Sequence, residues 1–226
     1  MAYGLQFTNS SNVVTIDSEF ARLMVIASGR YAPTEEGGMA SSTYFARPVT
    51  SQEPPLVFVR PDTVAGIAGL SGMRLIGSAG NWIGFYVRTY SAATAQPNGR
   101  YFVAAFAAQA VAQYGMRLWD GTGKMLFDSG TPSASFTRAF QNWAYVKSDQ
   151  TDQGLYRNYY SVPFNFPQNE FMLINNFGMT MVSGGNIPRQ LYSTWDFTTG
   201  TLYAVTVAAN NPFNFFLPAV FAKQAV

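Results

Sequence analysis

Short runs of alternating apolar and polar residues occupy most of the chain, and turn-forming residues separate them. Residues 3–8 and 13–16 flank a polar turn at 9–12, and residues 73–76 and 82–88 flank a glycine-containing turn at 77–81. A period of two residues places alternate side chains on opposite faces of an extended strand. Runs joined by such turns are typical of β-hairpins, so the pattern predicts an antiparallel, all-β protein.

Further runs of the same kind predict additional strands. They lie at residues 56–60, 101–107, 171–175, 202–208 and 215–221. Two segments, residues 18–26 and 103–113, are also compatible with short helices. The counterpart of the second contains Pro218, which the interior of a helix resists. Many short strands at this spacing favour an antiparallel sandwich, and a short helix would not change that class.

Three segments of the chain return in the same order about 110 residues later. The opening Tyr3-Gly4 and the later Asp17-Ser18 each return 111 residues on. Residues 72–75 resemble 178–181, and residues 106–111 match 221–226 at five of six positions. The repeat predicts two tandem antiparallel β-sandwich domains from an internal duplication, residues 1–111 and 112–226. Changes of loop length explain why the offsets differ.

Composition limits the possible functions. The chain is 48% hydrophobic and 16% aromatic but only 12% charged, so we expect part of its surface to be buried against other subunits. A net charge of +2 without basic runs argues against nucleic-acid or membrane partners. The absence of cysteine and histidine excludes disulfides, zinc-thiolate sites and imidazole catalysis. We expect no metal or cofactor, no secretory signal, and synthesis in a cytosol.

The repeated opening resembles small tail components of bacteriophages, from the tail tip or baseplate region. The resemblance is carried by Tyr-Gly-(Leu/Met) before a short turn and a strand that ends in Asp-Ser. The matching positions are Tyr3, Gly4, Asp17 and Ser18, and again Tyr114, Gly115, Asp128 and Ser129. It implies a virion structural protein with a β-sandwich fold, located in the virion after synthesis in the host cytoplasm.

The resemblance also implies partners. They are other virion tail proteins and further copies of the chain, in a trimer or a higher ring around the tail axis. The family pattern usually occurs once, whereas this chain contains it twice. We therefore expect one chain to supply two quasi-equivalent positions, which would convert threefold into pseudo-sixfold symmetry.

Polar motifs favour structural roles over catalysis. Asp17-Ser18 and Asp128-Ser129 lack a base at a recognisable spacing, so we expect them to cap backbone amides at strand ends. The turn at residues 121–124 lacks the first glycine and the Ser or Thr of a phosphate-binding loop. The adjacent pair Glu35-Glu36 does not provide the separate, facing carboxylates of a glycosidase. The sequence therefore predicts no enzyme.

An aromatic cluster is the candidate contact surface for a partner or a host glycan. Its members are Trp143, Tyr145, Tyr156, Arg157, Tyr159 and Tyr160. Such residues concentrate binding energy at interfaces, and flat rings stack on sugars. We expect a polar loop at residues 147–154 to present them, and core packing is the alternative. Two other functions stay open: a host-receptor or carbohydrate-binding module of the tail, and a capsid decoration protein.

Overall fold

Strands account for nearly all the regular structure of the protein. The computed structural model describes residues 6–8, 10–12, 14–17, 22–89, 98–179, 181–183, 187–210 and 215–225. The strands are β1 (Gln6–Thr8), β2 (Val14–Asp17), β3 (Leu23–Tyr31), β4 (Ala40–Val49), β5 (Leu56–Pro61), β6 (Ile67–Ser78), β7 (Asn81–Arg88), β8 (Gly99–Phe106), β9 (Arg117–Trp119), β10 (Met125–Asp128), β11 (Ser133–Phe140), β12 (Ala144–Gln150), β13 (Tyr156–Pro163), β14 (Phe171–Leu173), β15 (Met181–Ser183), β16 (Ile187–Asp196), β17 (Thr201–Ala208) and β18 (Ala219–Ala225). A short 3₁₀ turn, Thr63–Ala65, precedes β6. The predicted all-β class is confirmed.

Two sheets form the body of the molecule. One closes on itself in the order β11-β18-β14-β5-β8-β3, and Met24 beside Ser133 completes the ring. The other is open, in the order β12-β13-β17-β16-β6-β7-β4, with β15 paired to β16. The hairpins β1-β2 and β9-β10 form separate two-stranded sheets. Every pairing between the described strands is antiparallel, as the turn-rich sequence predicts.

Both sheets contain strands from both halves of the chain. In the closed sheet β5 pairs with β14, and in the open sheet β6 pairs with β16. The prediction of two tandem sandwich domains, residues 1–111 and 112–226, is therefore not confirmed as two separate bodies. The physical reason is that an isolated half would leave β5 and β6 as sheet edges with unpaired backbone groups. Pairing with the other half satisfies those groups.

The two halves nevertheless follow the same strand order. In the closed sheet, the order that starts where β3 meets β11 and ends where β5 meets β14 is β3, β8, β5 in the first half and β11, β18, β14 in the second. The open sheet reads β4, β7, β6 and then β12, β17, β16, apart from β13, which is inserted between β12 and β17. β13 is the main topological difference between the halves. The strand order makes β6 equivalent to β16 and β8 equivalent to β18. Two of the repeated sequence segments do not follow this equivalence residue by residue, because the match of 72–75 ends in β15 and the match of Phe106, the last residue of β8, is Phe221 inside β18.

The two outer hairpins also share one register. Gln6 pairs with Asp17 in the first, and Arg117 pairs with Asp128 in the second, 111 residues later. In both hairpins the pairing skips one residue of the second strand, Thr15 and then Leu126. Such a bulge sharpens the local twist of a hairpin. The repeat therefore extends from residue types to backbone geometry.

The larger hydrophobic core lies between the closed and the open sheet. The closed sheet contributes Val57, Val103 and Phe221, and the open sheet contributes Phe85 and Leu202. Alternate residues of the closed sheet build a second, smaller cluster on its other face, which includes Val25, Phe58, Phe102 and Phe171. The rings of Phe58 and Phe102 stack there at 4.6 Å between centroids.

The segments with helical alternatives are extended wherever the structure describes them. Residues 23–26 belong to β3, and residues 103–106 belong to β8. In residues 215–221, only the last three are part of a strand, β18. Within the described part of the chain, no helix is long and apolar enough to cross a membrane.

Candidate functional site

The predicted aromatic cluster does not form one exposed surface. Tyr160 is fully buried, and its ring stacks on Phe215 at 4.7 Å. Trp143 is also buried, and its indole N–H donates to the carbonyl of Leu217 at 2.7 Å. Both side chains belong to the core between the two sheets. For these two residues, the alternative of core packing describes the structure.

The other members of the cluster are only partly accessible. Tyr159 and Arg157 point to the face opposite Tyr160, because neighbours in a strand alternate. The guanidinium of Arg157 pairs with Asp149, and the ammonium of Lys147 lies 4.9 Å from the Tyr159 ring centre.

Tyr145 and Tyr156 complete the predicted cluster. Tyr145 is 39% exposed, and its hydroxyl lies 2.9 Å from the hydroxyl of Ser148. Tyr156, at the start of β13, is half-buried. The predicted loop at 147–154 is strand β12 as far as Gln150, so only its last four residues lie outside a strand.

The repeated opening is described fully only in its second copy. Tyr3, Gly4 and Ser18 lie outside the described residues, and Asp17 ends β2 opposite Gln6. Tyr114 is 93% exposed. Gly115 has φ +142°, and a Cβ atom there would collide with the hydroxyl of Ser129. The glycine thus lets the chain enter the hairpin close to its second strand.

Asp128 and Ser129 hold the start of the second half in place. The buried carboxylate of Asp128 pairs with Arg117 at 2.7 Å and accepts the amide N–H groups of Ala112 and Gly130. The Ser129 hydroxyl accepts the N–H of Met116 at 3.1 Å. These are the backbone-capping contacts expected from the sequence.

The protonation of Asp128 follows from the same contacts. Burial alone would raise its pKa, but the hydrogen bonds from Arg117, Gly130 and Ala112 outweigh burial and lower the pKa. The carboxylate is therefore ionised near neutral pH and serves as an acceptor for backbone groups.

The remaining acidic motifs are local contacts too. Asp120 accepts the N–H groups of Thr122 and Lys124 within its turn. Glu36 accepts hydrogen bonds from the Tyr86 hydroxyl and from Arg88, which lower its pKa. Among the residues that the structure describes, no three metal-ligating side chains form a group.

Exposed apolar side chains concentrate where the two halves join, and the sequence alone did not indicate their exposure. We define the junction segment as residues 106–119. Four large apolar side chains in it are at least half exposed: Phe106 (64%), Val111 (53%), Tyr114 (93%) and Trp119 (50%). Their apolar character was visible in the sequence, but their exposure depends on how the junction segment lies on the body.

The two edges of the open sheet are poorly suited to further strand pairing. β12 is one edge, and its register shifts at Val146, beside the charged Lys147. β4 is the other edge, and its pairing is irregular between Tyr44 and Val49, close to Pro48. Bulges, charges and proline are devices that prevent edge-to-edge association. Contacts with partners should therefore depend on side chains.

Comparison with protein-family models, with curated proteins and with solved structures finds no match for this chain.

Proposed function

We propose that the chain is a virion structural protein of a bacteriophage tail tip or baseplate, which acts by symmetric packing of subunits. One observation carries the packing role, namely the exposed apolar side chains of the junction segment. The assignment to a phage tail depends on the resemblance of the repeated opening. Both copies of that opening lead into hairpins of the same register.

The physical argument for packing concerns the cost of hydration. Burying a large apolar side chain is favourable by about 1.5 to 3 kcal/mol relative to leaving it in water. Four such side chains lie within fourteen residues, and burial of all four against a neighbouring subunit would favour association. Only 12% of the chain is charged, so little surface charge opposes association.

The repeat suggests how the packing is arranged. Each half carries an outer hairpin followed by the same order of strands, so one chain offers two similar sets of contacts. A ring of three chains would then present six similar positions. The inserted β13 makes the two halves unlike at one edge, which would allow each set to meet a different neighbour.

Light scattering coupled to size exclusion tests the packing role. We expect the purified chain to form trimers or larger rings as its concentration rises. The double variant Tyr114→Ser and Trp119→Ser should lower the mass towards that of a monomer, because it removes two exposed apolar side chains. Val64→Ser is the matched control, since Val64 is 92% exposed but lies outside the junction segment. A chain that stays monomeric at every concentration would contradict the proposal.

The location in the particle needs a separate test. Electron microscopy of particles that carry a labelled copy of the chain should place the label at the tail tip. Label over the capsid surface would instead favour a decoration protein. Receptor or glycan binding at the predicted aromatic cluster has less support, because Trp143 and Tyr160 are buried in the core.

A further inference from the structure

Three arginines stand side by side on three adjacent strands of the closed sheet. Arg30 of β3 is directly opposite Arg100 of β8, and Arg100 is directly opposite Arg60 of β5. Residues directly opposite each other in antiparallel strands point to the same face. The three guanidinium groups therefore form a row, which we call the arginine row.

The arginine row carries more positive charge than its neighbours neutralise. Arg30 forms an ion pair with Asp62. Within the described residues, neither Arg60 nor Arg100 has a carboxylate partner. Burial, and then the nearby charge of Arg100, lower the pKa of Arg60. Like charges directly opposite in a sheet are destabilising, so the arrangement calls for a compensating role.

Backbone carbonyls of the loop before β14 hold two of the guanidinium groups. Arg60 donates to the carbonyls of Phe166 at 2.9 Å and Pro167 at 3.0 Å. Arg100 donates one N–H to the carbonyl of Gln168. Phe166 has φ +43°, which an L-residue seldom adopts, so this loop is shaped to present its carbonyls.

Fixing this loop explains Arg60 but does not explain the whole row. Arg60 is buried and directs donors to three carbonyls, those of Pro61, Phe166 and Pro167. A guanidinium group has five N–H donors, and Arg100 makes one described hydrogen bond. Arg30 is largely exposed and Arg100 is half-buried. These two retain donor capacity on a side that solvent reaches.

An open cavity of about 420 Å³ lies beside Arg30 and Arg100. Two hydroxyls, two amides and the aromatic rings of Tyr101 and Phe171 line it. No carboxylate is among the described lining residues, although Asp62 pairs with Arg30. The side chains that matter for recognition are Ser28, Arg30, Arg100, Asn169, Phe171 and Gln224. The guanidinium of Arg100 lies 5.5 Å from the centre of the ring of Phe171, which is buried, and this contact holds the charge at the edge of the cavity.

This combination of groups suits a small anionic sugar. Arginine binds carboxylates and phosphates through paired N–H groups. Planar amides and hydroxyls exchange hydrogen bonds with sugar hydroxyls. The cavity has the size of a small-molecule site, and a net charge of +2 without basic runs does not favour a long polyanion.

We propose that this cavity binds a saccharide that carries a carboxylate or phosphate group, with Arg100 and Arg30 as the anion-binding residues. None of the residues that line the cavity belongs to the junction segment or to the aromatic cluster predicted from the sequence. The site gives the chain a ligand-binding role in addition to its proposed structural one.

Isothermal titration calorimetry on the purified chain tests the site. The probes are D-glucuronate, glucose 6-phosphate and glucose. We expect at least one of the two anionic sugars to bind at least tenfold more tightly than glucose. Arg100→Gln should weaken that binding at least tenfold, because it removes the charge beside Phe171. The matched control Arg47→Gln changes an exposed arginine of β4 outside the cavity and should bind like the wild type.

Several results would overturn the proposal. They are binding of glucose as tight as that of both anionic sugars, unchanged binding by Arg100→Gln, or no binding of any probe. Inorganic phosphate that binds as tightly as the anionic sugars would mean a simple anion site, and tighter binding of a thymidine oligonucleotide would mean a nucleic-acid site. If circular dichroism shows that Arg100→Gln is misfolded, Arg30→Gln takes its place, with the same loss expected.

Discussion

Asn175 joins the two halves of the chain through its side chain. Its carbonyl oxygen accepts the backbone N–H of Val57 at 2.8 Å, and its amide donates to the carbonyl of Pro55 at 2.9 Å. Beside it, the N–H of Ile174 donates to the carbonyl of Val57 at 2.9 Å. Asn175 thus continues the pairing of β14 with β5 by one side chain.

Replacement of Asn175 by alanine should destabilise the whole molecule. Val57 is fully buried, so its amide would lose its partner without gaining water. An unsatisfied buried polar group costs about 1 to 3 kcal/mol, and the change orphans two groups. Because Pro55, directly before β5, is buried as well, we expect a total loss of about 2 to 6 kcal/mol for the two groups. The loss should appear in both halves, since the contact couples them.

Urea unfolding measures this loss. Trp82 reports on the first half, and Trp119, Trp143 and Trp195 report on the second. Asn175→Ala should lower the midpoint without changing the slope, and fluorescence and circular dichroism should coincide. The control Asn98→Ala changes an exposed asparagine and should stay within about 0.5 kcal/mol of the wild type. A change below that limit in Asn175→Ala would refute the reasoning.

Three further predictions concern the core, the second hairpin and a close backbone contact. Phe102→Ala should cost about 3 to 5 kcal/mol in urea unfolding because Phe102 is fully buried, whereas Phe136→Ala, at a side chain 56% exposed, should cost less than about 1 kcal/mol. Because folding lowers the pKa of Asp128, its ionised carboxylate stabilises the fold at pH values above the pKa of about 3.9 that it has in the unfolded chain. This stabilisation is lost as the pH falls through the pKa of the folded protein. Asp128→Asn should therefore be less stable than the wild type at pH 7, and the difference should shrink at pH 3 in the same assay; an equal difference at both values would contradict this. Gly99→Ala should lower the melting temperature measured by circular dichroism, because a Cβ atom there would collide with the buried ring of Tyr31; an unchanged melting temperature would show that the ring can move.

Local features of the fold could be predicted from the sequence because their causes are local. Turn residues and alternation identified the hairpin of β6 and β7, and the predicted strand at 56–60 is contained in β5. The repeat of Asp17 at Asp128 corresponds to one shared hairpin register. In each case, residues near each other in sequence determine the geometry.

The pairing between halves could not be predicted, because it joins residues far apart in sequence. Met172 pairs with Val59, and no local pattern specifies that contact. The second half of β12, Lys147 to Gln150, was expected to belong to a loop because all four of these residues are polar. An edge strand with solvent on one side has the same composition.

The candidate sites show the same division. Alternation within β13 already implied that Tyr159 and Tyr160 point to opposite faces, so only one of them could belong to an exposed surface; the structure shows that Tyr160 is the buried one. The arginine row has no sequence signature, because Arg30, Arg60 and Arg100 meet only through the registers of three strands.

Differential scanning calorimetry tests most directly whether the two repeated halves form one body. Because β5 pairs with β14 and β6 pairs with β16, neither half has a complete sheet of its own. We predict a single transition, in which the calorimetric enthalpy of unfolding equals the van't Hoff enthalpy. Light scattering should show one species in the sample that is measured. Two resolved transitions, or a calorimetric enthalpy about twice the van't Hoff value, would show that the halves unfold independently and would contradict the account.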